Sequence, residues 1–195
     1  MGSEMCIRDR GYLERQVRRW HQQWEASKTR ELDTLEEVAA SLAKNVPTPV
    51  RAGIVHGDYR LDNVMVDAAV QRILAVLDWE MATLGDPLAD LGLLAVYARL
   101  AEIGSSPTQP MFGPEQGFPS APDLIEQYAR RSPQSGAVDQ IGWYVALGYY
   151  KLAIISEGIH ARYLLGKTVG EGFSVMGERV PMLVDRSLAA LDGTI

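Results

Sequence analysis

The sequence predicts an α+β domain that is mostly helical and carries a small β-hairpin. Apolar residues recur at spacings of three and four over most of the chain, which is typical of amphipathic helices. Three short apolar runs between residues 54 and 77 have the length of strands instead. No internal repeat or low-complexity tract divides the 195 residues, so one domain with a single core is the simplest organisation.

The composition excludes several classes of partner. The net charge is −6, whereas nucleic-acid binding needs clustered Lys and Arg, so no nucleic acid is expected as partner. The longest apolar stretch, residues 141–155, is too short to cross a bilayer comfortably and contains Lys151, which predicts a buried helix and no membrane partner. Cys6 is the only cysteine, which excludes an internal disulfide and fits a reducing, cytoplasmic location.

The N-terminal part is predicted to be helical after a short leader. Residues 1–10 lack both the apolar core of a signal peptide and any periodicity, so we expect a scar-like or disordered leader followed by one domain over residues 11–195. Helical spacing predicts two helices, over about 11–28 and about 29–43, and two prolines end the second.

The β element is predicted to follow these two helices. Residues 63–67 and 72–78 are close enough to pair as a hairpin through residues 68–71. The first apolar run, residues 54–56, is short for a strand and leads into a polar loop. Two or three short strands are therefore expected.

The remainder is again predicted to be helical. Asp86 is expected to be the N-cap, and Pro87 the first residue, of a helix that reaches about residue 102. Residues 104–120 are rich in Gly, Pro, Ser and Gln and predict a long loop. Ser120 and Asp123 form the pattern of a capping box for a helix through residue 131. Two further helices are expected over about 138–165 and about 171–191.

Polar side chains lie around the ends of the short apolar runs. His56, Asp58 and Asn63 have the spacing His-x-Asp-x4-Asn, and Asp78 ends the third run. Protein-kinase catalytic loops share this spacing, with the Asp accepting the proton of the substrate hydroxyl and the Asn holding magnesium. Transfer of a γ-phosphoryl group also needs hard oxygen ligands for the metal. We therefore predict Asp58 as the catalytic base, and Asn63 and Asp78 as ligands of the Mg²⁺ that accompanies ATP.

These residues also have structural interpretations. Asp58 is typical of a turn and Asp78 of a strand-end cap. Asp62 is expected to be structural, since it lies between the two assigned roles. His56 is expected to orient the loop rather than to shuttle protons, because it precedes the base by two residues and points to the side of the Asp78 loop. The three histidines show no zinc-ligand spacing.

Three segments resemble the aminoglycoside phosphotransferase (choline kinase-like) family. They are His-Gly-Asp-Tyr-Arg-Leu-Asp-Asn at 56–63, Leu-Asp-Trp-Glu at 77–80 and Gly-Asp-Pro-Leu-Ala-Asp-Leu at 85–91. The branch that this chain resembles most is the phosphotransferase domain of acyl-CoA dehydrogenase family members, to which residues 15–32 are also similar. The resemblance implies a protein-kinase-like fold, of which this chain would be the C-terminal lobe.

The resemblance implies the same base and the same two magnesium ligands. It further implies that Asp90 is a buried carboxylate that accepts hydrogen bonds from the catalytic-loop backbone, and that Asp86 caps the helix carrying it. The family often has glycine where this chain has Glu80, whose role stays open, with substrate contact as one candidate. His160 and Arg162 are candidates for contact with an anionic substrate.

The implied function is ATP- and Mg²⁺-dependent phosphoryl transfer to a hydroxyl group of a small molecule, and the branch favours a hydroxyacyl-type acceptor. In this family a smaller N-terminal lobe supplies a glycine-rich loop and a lysine for the ATP phosphates. No such segment precedes Asp58 here, so the chain is expected to be an N-terminally truncated lobe with little or no activity alone.

The alternative is a non-catalytic fragment or binding module. A metal-dependent phosphatase is disfavoured, because two metals need more clustered ligands. The acceptor, the choice between ATP and GTP, and the oligomeric state stay open.

Overall fold

The computed structural model of the protein describes residues 11–49, 52–69, 72–103, 113–132 and 135–194. These residues form six α-helices and four short strands. In chain order the elements are α1 (Tyr12–Ser27), α2 (Asp33–Lys44), β1 (Gly53–Val55), β2 (Val64–Val66), β3 (Ile73–Val76), β4 (Thr83–Gly85), α3 (Leu88–Glu102), α4 (Ala121–Arg131), α5 (Ile141–Leu164) and α6 (Met176–Leu191). The mostly helical α+β class is confirmed. The predicted leader, and residues 104–112 of the predicted loop, lie outside the described residues.

All predicted helices are present, but three of them begin several residues later than expected, and α5 is one of these, since it begins at Ile141 rather than at about residue 138. α2 begins at Asp33, because the backbone amide of Thr29 donates a hydrogen bond to the buried carboxylate of Glu157 (2.9 Å) instead of continuing a helix. α6 begins at Met176, because Gly170 and Gly172 adopt left-handed conformations that interrupt a helical path. The capping box at the start of α4 is present as predicted.

The strands form two separate antiparallel pairs. β2 and β3 pair as the predicted hairpin, with Val64 opposite Val76. The second pair, β1 with β4, was not predicted, and the expected two or three strands are corrected to four in the described residues. β4 has only three residues and no alternating pattern. It is a strand because Gly85 lies opposite Gly53 in the folded chain, which is a long-range pairing that local sequence does not encode.

The core is built around α5, which packs against α1, α2, α3 and α6. Several of its large side chains are almost completely buried, including Tyr144, Tyr150 and Ile154, and Trp24 of α1 joins them. Each such burial stabilises the fold by about 1.5–3 kcal/mol. Of the helices in the described residues, none combines the length and the apolar character needed to cross a membrane.

The contact between α3 and α5 depends on Gly92. A Cβ atom at this position would lie 2.6 Å from the backbone carbonyl of Tyr144. We expect Gly92→Ala to lower the free energy of unfolding by about 1–3 kcal/mol, because the two helices would have to separate. Gly158→Ala is the matched control, since a Cβ there meets only ordinary contacts, 3.7 Å from Ser27. It should be neutral or stabilising by up to about 1 kcal/mol in urea unfolding. An equal effect of both substitutions would contradict this packing.

Candidate active site

Asp58 lies in the loop between β1 and β2, and the side chains of Tyr97 and Asn63 contact it. The hydroxyl of Tyr97, on α3, donates a hydrogen bond to Asp58 Oδ1 (3.3 Å). The side-chain amide of Asn63 donates to the backbone carbonyl of Asp58 (2.9 Å) and lies 3.4 Å from its Oδ2. Burial and the neighbouring Asp58 carboxylate raise the pKa of Tyr97, so the phenol stays protonated and remains a donor. One carboxylate is thus held in position by a helix and by the start of a strand.

The backbone on the N-terminal side of Asp58 is fixed by Asp90, also on α3. The amides of His56 and Gly57 donate to the two oxygens of this carboxylate, at 2.6 and 2.9 Å. Gly57 has a φ of 88°, which permits the sharp turn that brings both amides to one carboxylate. Burial raises the pKa of Asp90 more than the two hydrogen bonds lower it. Asp90 therefore makes the backbone contacts that the family resemblance implies.

His56 is buried and uses both ring nitrogens to hold backbone groups. Its Nε2 lies 2.8 Å from the carbonyl oxygen of Leu77, and its Nδ1 accepts a hydrogen bond from the amide of Asp58 (3.3 Å). The tautomer with its proton on Nε2 satisfies both contacts. The ring also packs against Trp79, with centroids 4.7 Å apart. His56 thus connects the Asp58 loop to the end of β3.

Asn63 and Asp78 lie at the same end of the hairpin. Asn63 directly precedes β2, and the amide of Leu77, directly after β3, donates to its carbonyl (2.8 Å). Asp78 follows with a φ of 63°, a left-handed conformation that is uncommon for residues other than glycine and that occurs at functional sites. Its carboxylate is exposed, and the amide orientation of Asn63 leaves its oxygen available. One neutral and one anionic oxygen donor suit a hard divalent cation such as Mg²⁺.

Lys151, on α5, was not predicted to belong to the site. Its ammonium group donates a hydrogen bond to the carbonyl of Gly57 and lies 5.5 Å from the centre of the Trp20 ring. Burial lowers the pKa of Lys151, while the nearby Asp58 and Asp90 carboxylates raise it, and the net shift is downward. The sequence contained one indication of this role, namely a lysine inside an otherwise apolar helical stretch. A buried charge is retained only where it has partners, so such a lysine is expected to contact polar groups.

Asp86 contacts the first turn of α3, although this helix begins one residue later than predicted. The helix begins at Leu88 with Pro87 as its N-cap residue, and Asp86 Oδ1 accepts a hydrogen bond from the amide of Leu88 (3.0 Å). Its other oxygen accepts from the hydroxyl of Tyr144 (2.7 Å). Because Asp86 is buried, both bonds are needed to satisfy its carboxylate.

Two cavities lie on either side of the Asp58 loop and share the side chains of Trp20, Met81 and Lys151 as walls. The first, which we call the apolar cavity, has a volume of about 580 Å³ and extends between the hairpin and helices α3, α5 and α6. The residues that characterise it are Asp58, Tyr97, Phe118, Leu124, Ile155 and Arg179. The second, the basic cavity, has a volume of about 620 Å³. The residues that characterise it are Arg15, Arg18, Arg19, Glu80 and Lys151.

The three predicted substrate contacts have different positions. Glu80 lines the basic cavity. His160 and Arg162, by contrast, are described residues that line neither cavity. His160 lies where α5 meets α6, so close to Gly177 that a Cβ there would be 2.7 Å from its ring, and Arg162 is exposed beyond it. Both residues follow Ile159, the last residue of α5 in the lining of the apolar cavity, and their substrate role stays a prediction.

Comparison with known proteins shows the family of the chain. The model of the "Phosphotransferase enzyme family" matches residues 3–117, which is more than half of the chain and includes every residue from His56 to Asp90. The chain therefore belongs to this phosphotransferase family, as the sequence resemblance implied.

The similar curated proteins are much longer than this chain. Acyl-CoA dehydrogenase family member 11 of Gallus gallus is 34% identical over 96% of this chain, and the human protein of that name is 31% identical over 91%. Acyl-CoA dehydrogenase family member 10 of Mus musculus is 31% identical over 80%. The chain spans 25%, 23% and 15% of these proteins, respectively.

Two solved structures share the fold. One, from Ralstonia eutropha and described as an aminoglycoside phosphotransferase, matches with a TM-score of 0.75 and 27% identity, covering 93% of this chain and 56% of that one. A thermostable mutant of the aminoglycoside phosphotransferase APH(4)-Ia matches with a TM-score of 0.50 over 87% of this chain and 47% of that one. At 18% identity, this second match shows the fold alone.

Proposed function

We propose that this chain is the C-terminal, acceptor-binding lobe of an ATP- and Mg²⁺-dependent phosphotransferase that acts on a hydroxyl group of a small molecule in the cytoplasm. One observation carries the proposal. Asp58, held by Tyr97 and Asn63, lines a cavity large enough for a small-molecule acceptor, and two oxygen donors suited to Mg²⁺ lie at the neighbouring strand ends.

In this proposal, Asp58 accepts the proton of the acceptor hydroxyl as that oxygen attacks the γ-phosphorus of ATP, and the bond from this phosphorus to the bridging oxygen breaks, so that ADP leaves. Asp90 and His56 hold the backbone on its N-terminal side, and Lys151 holds the carbonyl of Gly57. Asn63 and Asp78 are the residues that would hold the metal. A Mg²⁺ ion held by them would supply positive charge to offset the charge on the transferred phosphoryl group. Positioning is the main contribution of the protein, since phosphoryl transfer requires little else from it.

The lining of the apolar cavity favours an acyl-type acceptor over an aminoglycoside. Most of its side chains are aliphatic or aromatic, and Arg60, Lys151 and Arg179 contribute positive charge beside Asp58 and Asp62. An aminoglycoside is a polycation, and these three basic groups would repel it. A hydroxyacyl chain would bury apolar surface against the cavity walls and bring its hydroxyl to Asp58. The similarity to acyl-CoA dehydrogenase family members supports the same choice.

The β element supports a second lobe as part of the complete enzyme. Large apolar side chains are exposed on both strand pairs, among them Ile54 (66% exposed), Ile73 (59%) and Leu74 (56%). Exposed apolar side chains in this number are typical of an interaction site. We propose that the ATP-binding lobe covers this surface in the full-length protein.

The test is acceptor-dependent ADP formation by a full-length protein that contains this chain. In the presence of Mg²⁺, we expect hydroxyacyl thioesters to stimulate ADP formation, and sugars and aminoglycosides to do so weakly or not at all. The isolated 195-residue chain should show little turnover. If the full-length protein formed no ADP with any acceptor, the non-catalytic alternative would replace this proposal. Robust turnover by the isolated chain would contradict the need for a second lobe.

A further inference from the structure

The basic cavity has a wall charge opposite to that of the whole protein. Four basic side chains line it, three from α1 and one from α5, against two acidic ones, Glu80 and Asp90. The chain as a whole has a net charge of −6. Of the two acidic side chains, Asp90 already accepts hydrogen bonds from two backbone amides, which offset part of its negative charge. Glu80 does not take part in those two hydrogen bonds.

The arginines of α1 are placed to act together. Arg15, Arg18 and Arg19 recur at helical spacings of three and four, so their side chains extend from one side of the helix. In the described part of the chain, neither Arg18 nor Arg19 forms an ion pair. The charge of Arg19 also reaches the far wall of the cavity, because it adds to the effect of burial in lowering the pKa of Lys151.

We propose that the basic cavity binds a phosphate-bearing ligand through a di- or oligophosphate group. Guanidinium groups pair with phosphate oxygens through two parallel hydrogen bonds, and several neighbouring arginines favour a group with more than one negative charge. The volume of about 620 Å³ leaves room for an organic part beside the phosphates. The phosphates belong either to the donor nucleotide or to a phosphorylated part of the acceptor. The binding itself does not depend on the proposed transfer reaction.

The direct test is calorimetric titration of this 195-residue chain with inorganic pyrophosphate at low ionic strength. We expect saturable binding that weakens as salt is added. The double variant Arg18→Gln/Arg19→Gln should bind pyrophosphate roughly 10- to 100-fold more weakly, because each lost charged hydrogen bond costs about tenfold. Both arginines are exposed, so the fold should be retained, and thermal unfolding checks this.

Arg130→Gln is the matched control. Arg130 is also an exposed arginine on a helix, but it pairs with Glu126 and lines neither cavity, so its loss should leave pyrophosphate binding unchanged. The proposal is overturned if the wild-type chain binds no pyrophosphate, or if Arg130→Gln weakens binding as much as the double variant. Asp58→Asn should bind pyrophosphate normally, which separates a failure of this proposal from a failure of the proposed transfer reaction.

A second titration identifies the source of the phosphates. In a full-length protein that contains this chain, saturating ADP should displace pyrophosphate if the cavity holds the donor nucleotide. If pyrophosphate binds equally well in the presence of ADP, the cavity accepts the phosphates of a second ligand, the acceptor. Either result supports an oligophosphate site, provided that the Arg18→Gln/Arg19→Gln variant weakens the binding in both conditions.

Discussion

Asp58→Asn in a full-length protein that contains this chain should lower kcat for acceptor-dependent ADP formation by about 10²- to 10⁴-fold. Asparagine has the same shape, and its side-chain oxygen can still accept the hydrogen bond from Tyr97. It cannot accept a proton from the attacking hydroxyl, so the loss should fall on kcat rather than on KM. Steady-state kinetics with a hydroxyacyl acceptor measure both constants.

Asp62→Asn is the control for this substitution. Asp62 lies in the same loop and in the wall of the same cavity, but it is exposed and pairs with Arg60. Exposed ion pairs contribute about 1 kcal/mol or less, so kcat should change by no more than roughly fivefold. If the two substitutions reduced kcat equally, or if Asp58→Asn kept near-normal turnover, Asp58 would not be the base.

The sequence best predicted those parts of the site whose residues lie close together along the chain. His56, Asp58 and Asn63 lie within eight residues, so their spacing alone placed them in one loop before the hairpin. The hairpin itself was predictable because β2 and β3 are close in sequence, and their connection has the length of a tight turn. The link from His56 to the Asp78 loop also followed from a local rule, the alternation of side chains along an extended segment.

Residues that enter the site from distant parts of the chain were not predictable in this way. Lys151 is 94 positions from Gly57, whose carbonyl it contacts, and Tyr97 is 39 positions from Asp58. Their contacts arise only when α3 and α5 pack against the loop. Asp90 was anticipated through family resemblance alone, since nothing in its own neighbourhood indicates that two amides 33 and 34 positions earlier bind to it.

Contacts between residues far apart in sequence also explain why some predicted elements differ from the structure. β4 exists because β1 pairs with it, and Thr29 leaves the helical path because Glu157, 128 positions later, needs donors. The substrate role of His160 and Arg162 stays a prediction from residue type and helix membership. The direction in which their side chains leave α5 depends on the packing of α6 against it, which the periodicity of a nearly all-apolar helix does not reveal.

The second large effect should come from Arg30, which holds three segments together. Its guanidinium contacts the carboxylate of Glu157 on α5 (2.7 Å) and the carbonyl of Gly177 on α6 (2.8 Å). Glu157 is fully buried and also accepts two hydrogen bonds from Thr29. Burial alone would raise the pKa of Glu157, but the hydrogen bonds from Arg30 and Thr29 outweigh it, and the pKa is lowered.

Arg30→Met should therefore lower the free energy of unfolding by about 3 kcal/mol at pH 7, because a buried carboxylate loses its counter-charge. The Arg30 side chain is 37% exposed, so we expect the lower end of the range for buried pairs. Arg130→Met removes an exposed pair instead and should cost about 0.5 kcal/mol or less. Urea unfolding of both variants measures the difference, and equal effects would contradict a stabilising role for the Arg30–Glu157 pair.

The pH dependence of this difference provides an independent check. In the wild-type protein the pKa of Glu157 is below its ordinary value of 4.5, so its stabilising contribution is present above pH 4.5 and is lost as the pH falls. Without Arg30, burial should raise that pKa above 4.5, and protonation then relieves the unpaired charge. The stability difference between wild type and Arg30→Met should thus shrink as the pH falls from 7 to 4. Arg30→Met/Glu157→Gln should regain at least half of the loss at pH 7, because glutamine keeps an acceptor for Thr29 without the charge.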